Sequence, residues 1–235
     1  MAIGVAEAAQ RLGVSRQRVL QMISGGLLPA ERIGRAWSVQ ESDIARRRVP
    51  VGRPLSAGTA RGLLELAAGI RPDLSPRDVS RLRAHMVRLA QESSTEGDPA
   101  GLLRSWLPGR AVRREMSVAD ADISTVLDDE RFVLSGASDR LAAMSSPHLA
   151  EGYVSSGNAQ EFLADHFAVE SDDRSRANLI VHVAEVVPPP SPVLVAADLA
   201  DYRGGREDRQ ARALLAEWFD SGDYDTDLLF GRARP

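Results

Sequence analysis

The stretch "GVSRQRVLQMISGG", residues 13–26, concentrates hydrogen-bonding side chains: Ser15, Arg16, Gln17, Arg18 and Gln21. These residue types suit the reading of base edges. Arginine forks onto the two acceptors of guanine, and glutamine matches the donor and acceptor that adenine presents in the major groove. Two further arginines, Arg32 and Arg35, follow in "ERIGRAW", residues 31–37. Arginines there suit phosphate oxygens, contacts that fix orientation without reading sequence. A solvated face would use the same residues, but here they gather on one motif. Arg46–Arg48 reads equally well as a phosphate contact or as a solvated helix end.

The elements that must hold these residues can be read locally. Val5–Leu12 places Val5, Ala8, Ala9 and Leu12 on one helical face. Gly13 supplies a turn, and Ser15 is a good N-cap for a second helix. In that helix Val19, Leu20 and Ile23 are expected to point inward, leaving Arg16, Gln17, Arg18 and Gln21 outside. Gly25-Gly26 stops it. Leu28–Ile33 and Ala36–Val39 read as short strands joined at Gly34-Arg35, with Trp37 packing the hairpin onto the helices. Ser42 or Asp43 opens a third helix, Ile44–Arg48. This order is a helix-turn-helix with a wing.

The same stretch resembles the excisionase and MerR-type winged helix-turn-helix. The matching pieces are "AAQRLGVS", the "GLLPA" step, the basic "IGRAW" wing and the closing Asp43-Ile44 helix, about a fifth of the chain. The resemblance implies that Ser15–Gln21 enters the major groove and that Arg35 lies near a minor groove or a phosphate. No long dimerisation coiled coil follows, so the effector binding of regulatory MerR proteins is not implied.

Charge divides the 235 residues. Residues 1–116 hold 19 Arg against 11 acidic residues, a net of +8; residues 117–235 hold 10 against 22, a net of −12. The front suits a polyanion and the back would be repelled by one. All 29 basic residues are arginine, a bias that a GC-rich genome imposes. There is no cysteine, hence no disulfide or thiolate metal site. The longest apolar run, around Leu179–Val187, is interrupted by His182 and Glu185, and no signal peptide is read. A cytoplasmic protein without membrane contact is the expectation.

The expected fold class is α+β: a winged helix-turn-helix over 1–48, a linker over 49–55 marked by Pro50, Gly52 and Pro54, a helical connector over 56–116, and an acidic mixed α/β domain over 117–235. The connector carries helical spacing in Thr59–Ala68, Ser75–Ala90 and Leu102–Leu107, with Trp106 buried. Behind it, Arg131–Leu134, Gly152–Val154 and Asn178–Val187 read as strands and Asn158–His166 as a helix. Pro188–Pro192 reads as a stiff turn, and Val193–Tyr202 is open between strand and helix. Arg206–Phe219 is amphipathic, with Ala211, Leu214, Leu215 and Trp218 on one face. The tail after Asp220 is expected to fray.

The pieces "RFVLSGAS", "EGYVSSGNAQEFLADHFAVE", "ANLIVHVAEV" and "PVLVAADLADYRGGREDRQARALLAEW" make residues 100–219 similar to the C-terminal domain of AbiEi-type antitoxins. That resemblance implies a regulator that represses its own operon and has a nucleotidyltransferase-like toxin as partner. The front module departs from the usual AbiEi winged helix.

Catalytic chemistry finds little support. Ser135-Gly136-Ala137-Ser138 is similar to the glycine-serine turn of nucleotidyltransferases, but that chemistry needs two carboxylates at i and i+2 on a following strand to hold magnesium. No such pair follows; Asp120 and Asp122 precede it and read as a helix N-terminus. The four histidines, His85, His148, His166 and His182, share no metal spacing. Ser135 has no base nearby in sequence. Asp128–Glu130 and Asp172-Asp173 read as solvated loops, and Tyr153 and Phe162 as core. No enzyme activity, cofactor or metal is expected.

The function expected is therefore a sequence-specific DNA-binding transcriptional regulator, an autorepressing antitoxin of a toxin–antitoxin or phage-defence operon. The alternatives are an excisionase-like architectural factor and an interaction protein that neutralises a toxin. Expected partners are double-stranded DNA, a toxin and a second copy of the chain.

Overall fold

Ala8, Ala9 and Leu12 recur at the spacing of one helical face, and in the computed structural model that face is buried in α1 (Val5–Leu12). The structure describes residues 2–12, 14–24, 28, 30–34, 36–40, 53–94, 97–144, 148–171 and 176–231. Arg35, the expected helix Ile44–Arg48 and the Asp172-Asp173 pair lie outside them. The chain separates into two compact units, Met1–Val51 and Gly52–Pro235. Among the described residues the architecture is mixed helix and strand, an α+β fold.

In the first unit, β1 (Ala2–Gly4) precedes α1, and α2 (Arg16–Ser24) follows it. Ser15 caps α2, its Oγ accepting the backbone N–H of Arg18 at 3.2 Å. Strands β2 (Glu31–Ile33) and β3 (Ala36–Gln40) form an antiparallel hairpin. At its tip Gly34 has φ +62°, the left-handed region that glycine enters without a steric penalty. β1 was not anticipated; it pairs with β3 to give the order β1-β3-β2. Ile3, Ala8, Ala9, Leu12, Val19, Met22, Leu28 and Val39 make the core.

Two expectations need correction here. Leu20 is not inward but 43% exposed. Each residue turns a helix by about 100°, so an inward arc of Val19, Met22 and the half-buried Ile23 carries Leu20 outside. Trp37 is half-buried and, among the described residues, is not one of those packed on the core; it faces Arg32 across the hairpin.

The second unit opens with three helices, α3 (Ala57–Ala67), α4 (Pro76–Ser94) and α5 (Pro99–Trp106). Ser56, Ser75 and Asp98 cap them, each accepting a backbone N–H three residues on. Next come β4 (Val112–Ser117), α6 (Ile123–Leu127), β5 (Val133–Leu134), β6 (Ala150–Ser155), α7 (Ala159–Asp165), β7 (Val169–Glu170) and β8 (Leu179–Ala184). The chain ends in α8 (Pro192–Asp201), α9 (Gly205–Ser221) and α10 (Thr226–Phe230). β4 is a strand inside a stretch expected to be helical. Pro192 begins α8 rather than closing a turn, with Ser191 as its cap. The tail does not fray at once: α10 buries Leu228 and Leu229.

The sheet order is β5-β6-β8-β4-β7, antiparallel except for the parallel pair β6–β8. Strand alternation sends side chains to two cores. Ala150, Val154, Leu179 and Val181 face α6 and α7, where the Phe132 and Phe162 rings stack at 5.3 Å. Tyr153 and Ala184 face the other way, into a core built by α3, α4, α5, α8 and α9. Residues 56–116 thus share a core with the segment that follows them. α9 buries Ala211, Leu214, Leu215 and Trp218, the face its spacing predicts.

Candidate nucleic-acid interface

α2 is held from within by Val19 and Met22, both buried. Its outer arc is left to Arg16, Gln17, Arg18, Leu20 and Gln21, all exposed. Arg18 Nη1 donates to Gln21 Oε1 at 3.5 Å, so these two are linked along the helix. Ser15 has a double use: its oxygen caps α2, while its hydroxyl hydrogen remains a donor at the exposed first turn. The first turn of α2 contains no acidic residue. The positive end of the helix dipole and the arginine side chains therefore make this end of the helix attractive to an anionic surface.

Arg32 sits apart from that group, on β2, with its guanidinium carbon 6.0 Å from the centre of the Trp37 ring. The stack orients the cation while leaving it exposed. A helix offering forked donors and a hairpin offering an oriented cation are the two kinds of group that base reading and phosphate positioning require.

The second unit holds a different constellation, one that sequence reasoning did not assemble. Alternation on β6 and β8 points Glu151, Tyr153 and His182 toward α8, which brings Asp198 over them. Asp198 is fully buried. It accepts from Tyr153 Oη at 2.8 Å, from Arg110 Nε at 3.0 Å and Nη2 at 2.6 Å, and from the Ser135 hydroxyl. Arg110 also reaches Asp201 at 2.6 Å and the Leu107 carbonyl at 3.0 Å. Glu151, likewise buried, lies 2.9 Å from His182 Nε2 and accepts from Tyr202 Oη and the Ala137 N–H, each at 2.8 Å. The Tyr153 and His182 rings stack at 4.7 Å.

Burial pushes the Asp198 carboxyl up, but His182, Arg110 and the Ser135 hydroxyl outweigh it and hold the group below its ordinary value. Burial and the Asp198 charge drive the Tyr153 hydroxyl well above its usual range. The Arg110 cation is held despite its burial by Tyr153, Asp198 and Asp201. Ser135, which has no partner nearby in sequence, thus finds a carboxylate through α8. Tyr153 is core, as expected, but its hydroxyl is part of this network.

The loop 128–130 is not simply solvated. Asp129 accepts from Arg131 Nε at 3.0 Å and Nη2 at 2.7 Å, and lies 2.9 Å from His166 Nε2. Arg131, with help from His166, holds the Asp129 carboxyl well below the usual carboxylate range. Asp120 and Asp122 form a single 3-10 turn that leads into α6. Among the described residues no cluster of three or more His, Asp or Glu is arranged to hold a metal ion. None of the described helices is long and apolar enough to cross a membrane.

Residues 3–47, within the first unit, match the family model of the helix-turn-helix domain. The front of the chain is a helix-turn-helix domain, a fold used to bind DNA. A protein of Thermus thermophilus described as "Probable plasmid-partitioning protein ParA" is 37% identical over 113 residues, 48% of this chain and 31% of that protein. The chain spans under a third of that relative's length. No solved structure matches.

Proposed function

We propose that this chain is a sequence-specific DNA-binding regulator. The observation that carries the reading is the exposed arc of Arg16, Gln17, Arg18 and Gln21 on a serine-capped helix inside a helix-turn-helix domain. α2 lies in the major groove, with Ser15, Arg16, Gln17, Arg18 and Gln21 at base edges and adjoining phosphates. Arg32, on the wing, and Arg35 hold the DNA backbone. The acidic remainder, net −12 over residues 117–235, stays clear of DNA and is available to other partners.

In its finer form, the protein is an autorepressing antitoxin. It occupies its own promoter and uses the acidic unit to hold a nucleotidyltransferase-like toxin. That form rests on the resemblance of residues 100–219 to AbiEi-type antitoxins. One helix-turn-helix covers a short site and binds weakly, so repression calls for two copies on one operator. A second reading has its own support. The similarity to a plasmid-partitioning protein favours a DNA-bound component of plasmid segregation.

The test is fluorescence anisotropy with duplexes tiled across the chain's own locus, at low and then rising ionic strength. The reading requires at least one duplex bound far more tightly than the rest, with affinity falling as salt rises. Uniform absence of binding at low salt overturns it. Co-purification with the product of the neighbouring gene separates the two finer forms: a toxin favours the antitoxin, a partition component the other.

A further inference from the structure

We propose that Leu20 is a specificity residue that reads a thymine methyl group; the inference rests on the DNA-binding reading above. On the outer arc of α2, Leu20 is the one apolar side chain, and it is 43% exposed. A lone exposed leucine is ordinary on most surfaces. This one lies on the arc that carries all the base-reading candidates. Arg16 stands four residues before it and Gln17 three before, the spacings that make neighbours on a helix. A helical leucine leans toward the N-terminus of its helix, so Leu20 covers the surface between Arg16 and Gln17. Among the described residues it is not one of those that make or pack on the unit's core.

The chemistry then follows from the groove. The C5 methyl of thymine is the one apolar group that a base pair presents on its major-groove edge. Gln17 is suited to adenine, and Leu20 beside it is suited to a methyl, so the pair selects a site with adenine and thymine close together. Burying one methyl against Leu20 supplies discrimination that hydrogen bonds do not.

The experiment uses the full chain. A bound duplex is selected from a randomised pool, and each of its thymines is replaced singly by deoxyuridine, which lacks only the methyl. At the contacted position the natural chain binds the uracil duplex about fourfold more weakly, the equivalent of one buried methyl. Leu20→Ala binds both duplexes alike, whereas Leu20→Met, with its apolar tip, keeps the preference. The proposal is overturned where no thymine replacement matters to the natural chain, or where Leu20→Ala still discriminates. It is also overturned where Leu20→Ala lowers the melting temperature, since the leucine then packs against protein. A pool that yields no enriched duplex at all instead removes the DNA-binding reading beneath it.

Discussion

Arg110 and Asp198 meet at 2.6 Å with their side chains 3% and 0% exposed, 88 residues apart in the chain. The pair ties the loop after α5 to α8, and through Tyr153 and Ser135 it ties α8 to the sheet. Removing one partner leaves the other charge buried and uncompensated, which costs about 3–5 kcal/mol. Asp198→Ala and Arg110→Ala are each expected to destabilise the second unit by that amount in urea unfolding. Because the two share one network, the double variant loses clearly less than the two single losses combined.

Acid acts on the Asp129 cluster. The Asp129 carboxyl is depressed in the fold by Arg131 and His166, so the unfolded chain takes up its proton first. Stability from this group is fully present above the unfolded value, near pH 4, and is lost as pH falls through the folded one. Asp198, also depressed, adds to the same trend. Asp129→Asn should be less stable than the natural chain at neutral pH, and the gap should narrow steadily, without yet closing, from pH 4 to pH 2. Melting temperatures of both proteins across that range provide the check.

Gly136 begins the turn after Ser135 at φ +54°, and a Cβ there would overlap the Glu151 carboxylate. The left-handed backbone alone costs an ordinary residue about 1 kcal/mol or more. Gly136→Ala should cost more than that, because Glu151 cannot shift without losing His182 and Tyr202. Calorimetry of this variant beside Gly58→Ala, at an exposed glycine with open space around it, isolates the effect.

Ser191 is buried and accepts the Leu194 N–H at 3.2 Å, opening α8 just before Pro192. Ser191→Ala removes that cap at a cost of about 1 kcal/mol, and Ser191→Asp, which can also cap, keeps more of the stability than alanine does. Denaturant midpoints of the two variants rank them.

For DNA, the two sets of arginines should behave differently. Arg16→Ala and Gln17→Ala each lose about 1–3 kcal/mol on the selected site and relax its sequence preference. Arg32→Ala and Arg35→Ala weaken all duplexes alike and lower the slope of log affinity against log salt by about 1. Equal effects on matched and random DNA from all four variants would remove the division between base reading and phosphate positioning.

Much of this fold was legible because it is local. The Val5–Leu12 helix, the Ser15 cap, the wing over Ala36–Val39 and the α9 face of Ala211, Leu214, Leu215 and Trp218 follow from periodicity and capping within a few residues. The placement of the candidate DNA-reading residues is legible for the same reason: Arg16 to Gln21 sit on one continuous helix that Ser15 caps. Periodicity failed where its contrast vanished. α8 buries every residue from Val193 to Ala200, so no polar face marks it as a helix, and by sequence Val193–Tyr202 stays open between strand and helix. Leu20 is misplaced by sequence because neighbouring apolar residues in a short helix allow two inward arcs, and only packing against α1 and the rest of the core selects one. The network of Arg110, Ser135, Glu151, Tyr153, His182 and Asp198 left no local trace at all. Its members belong to separate strands, loops and a helix, and strand pairing and the seating of α8 alone decide that a buried carboxylate meets its counterions.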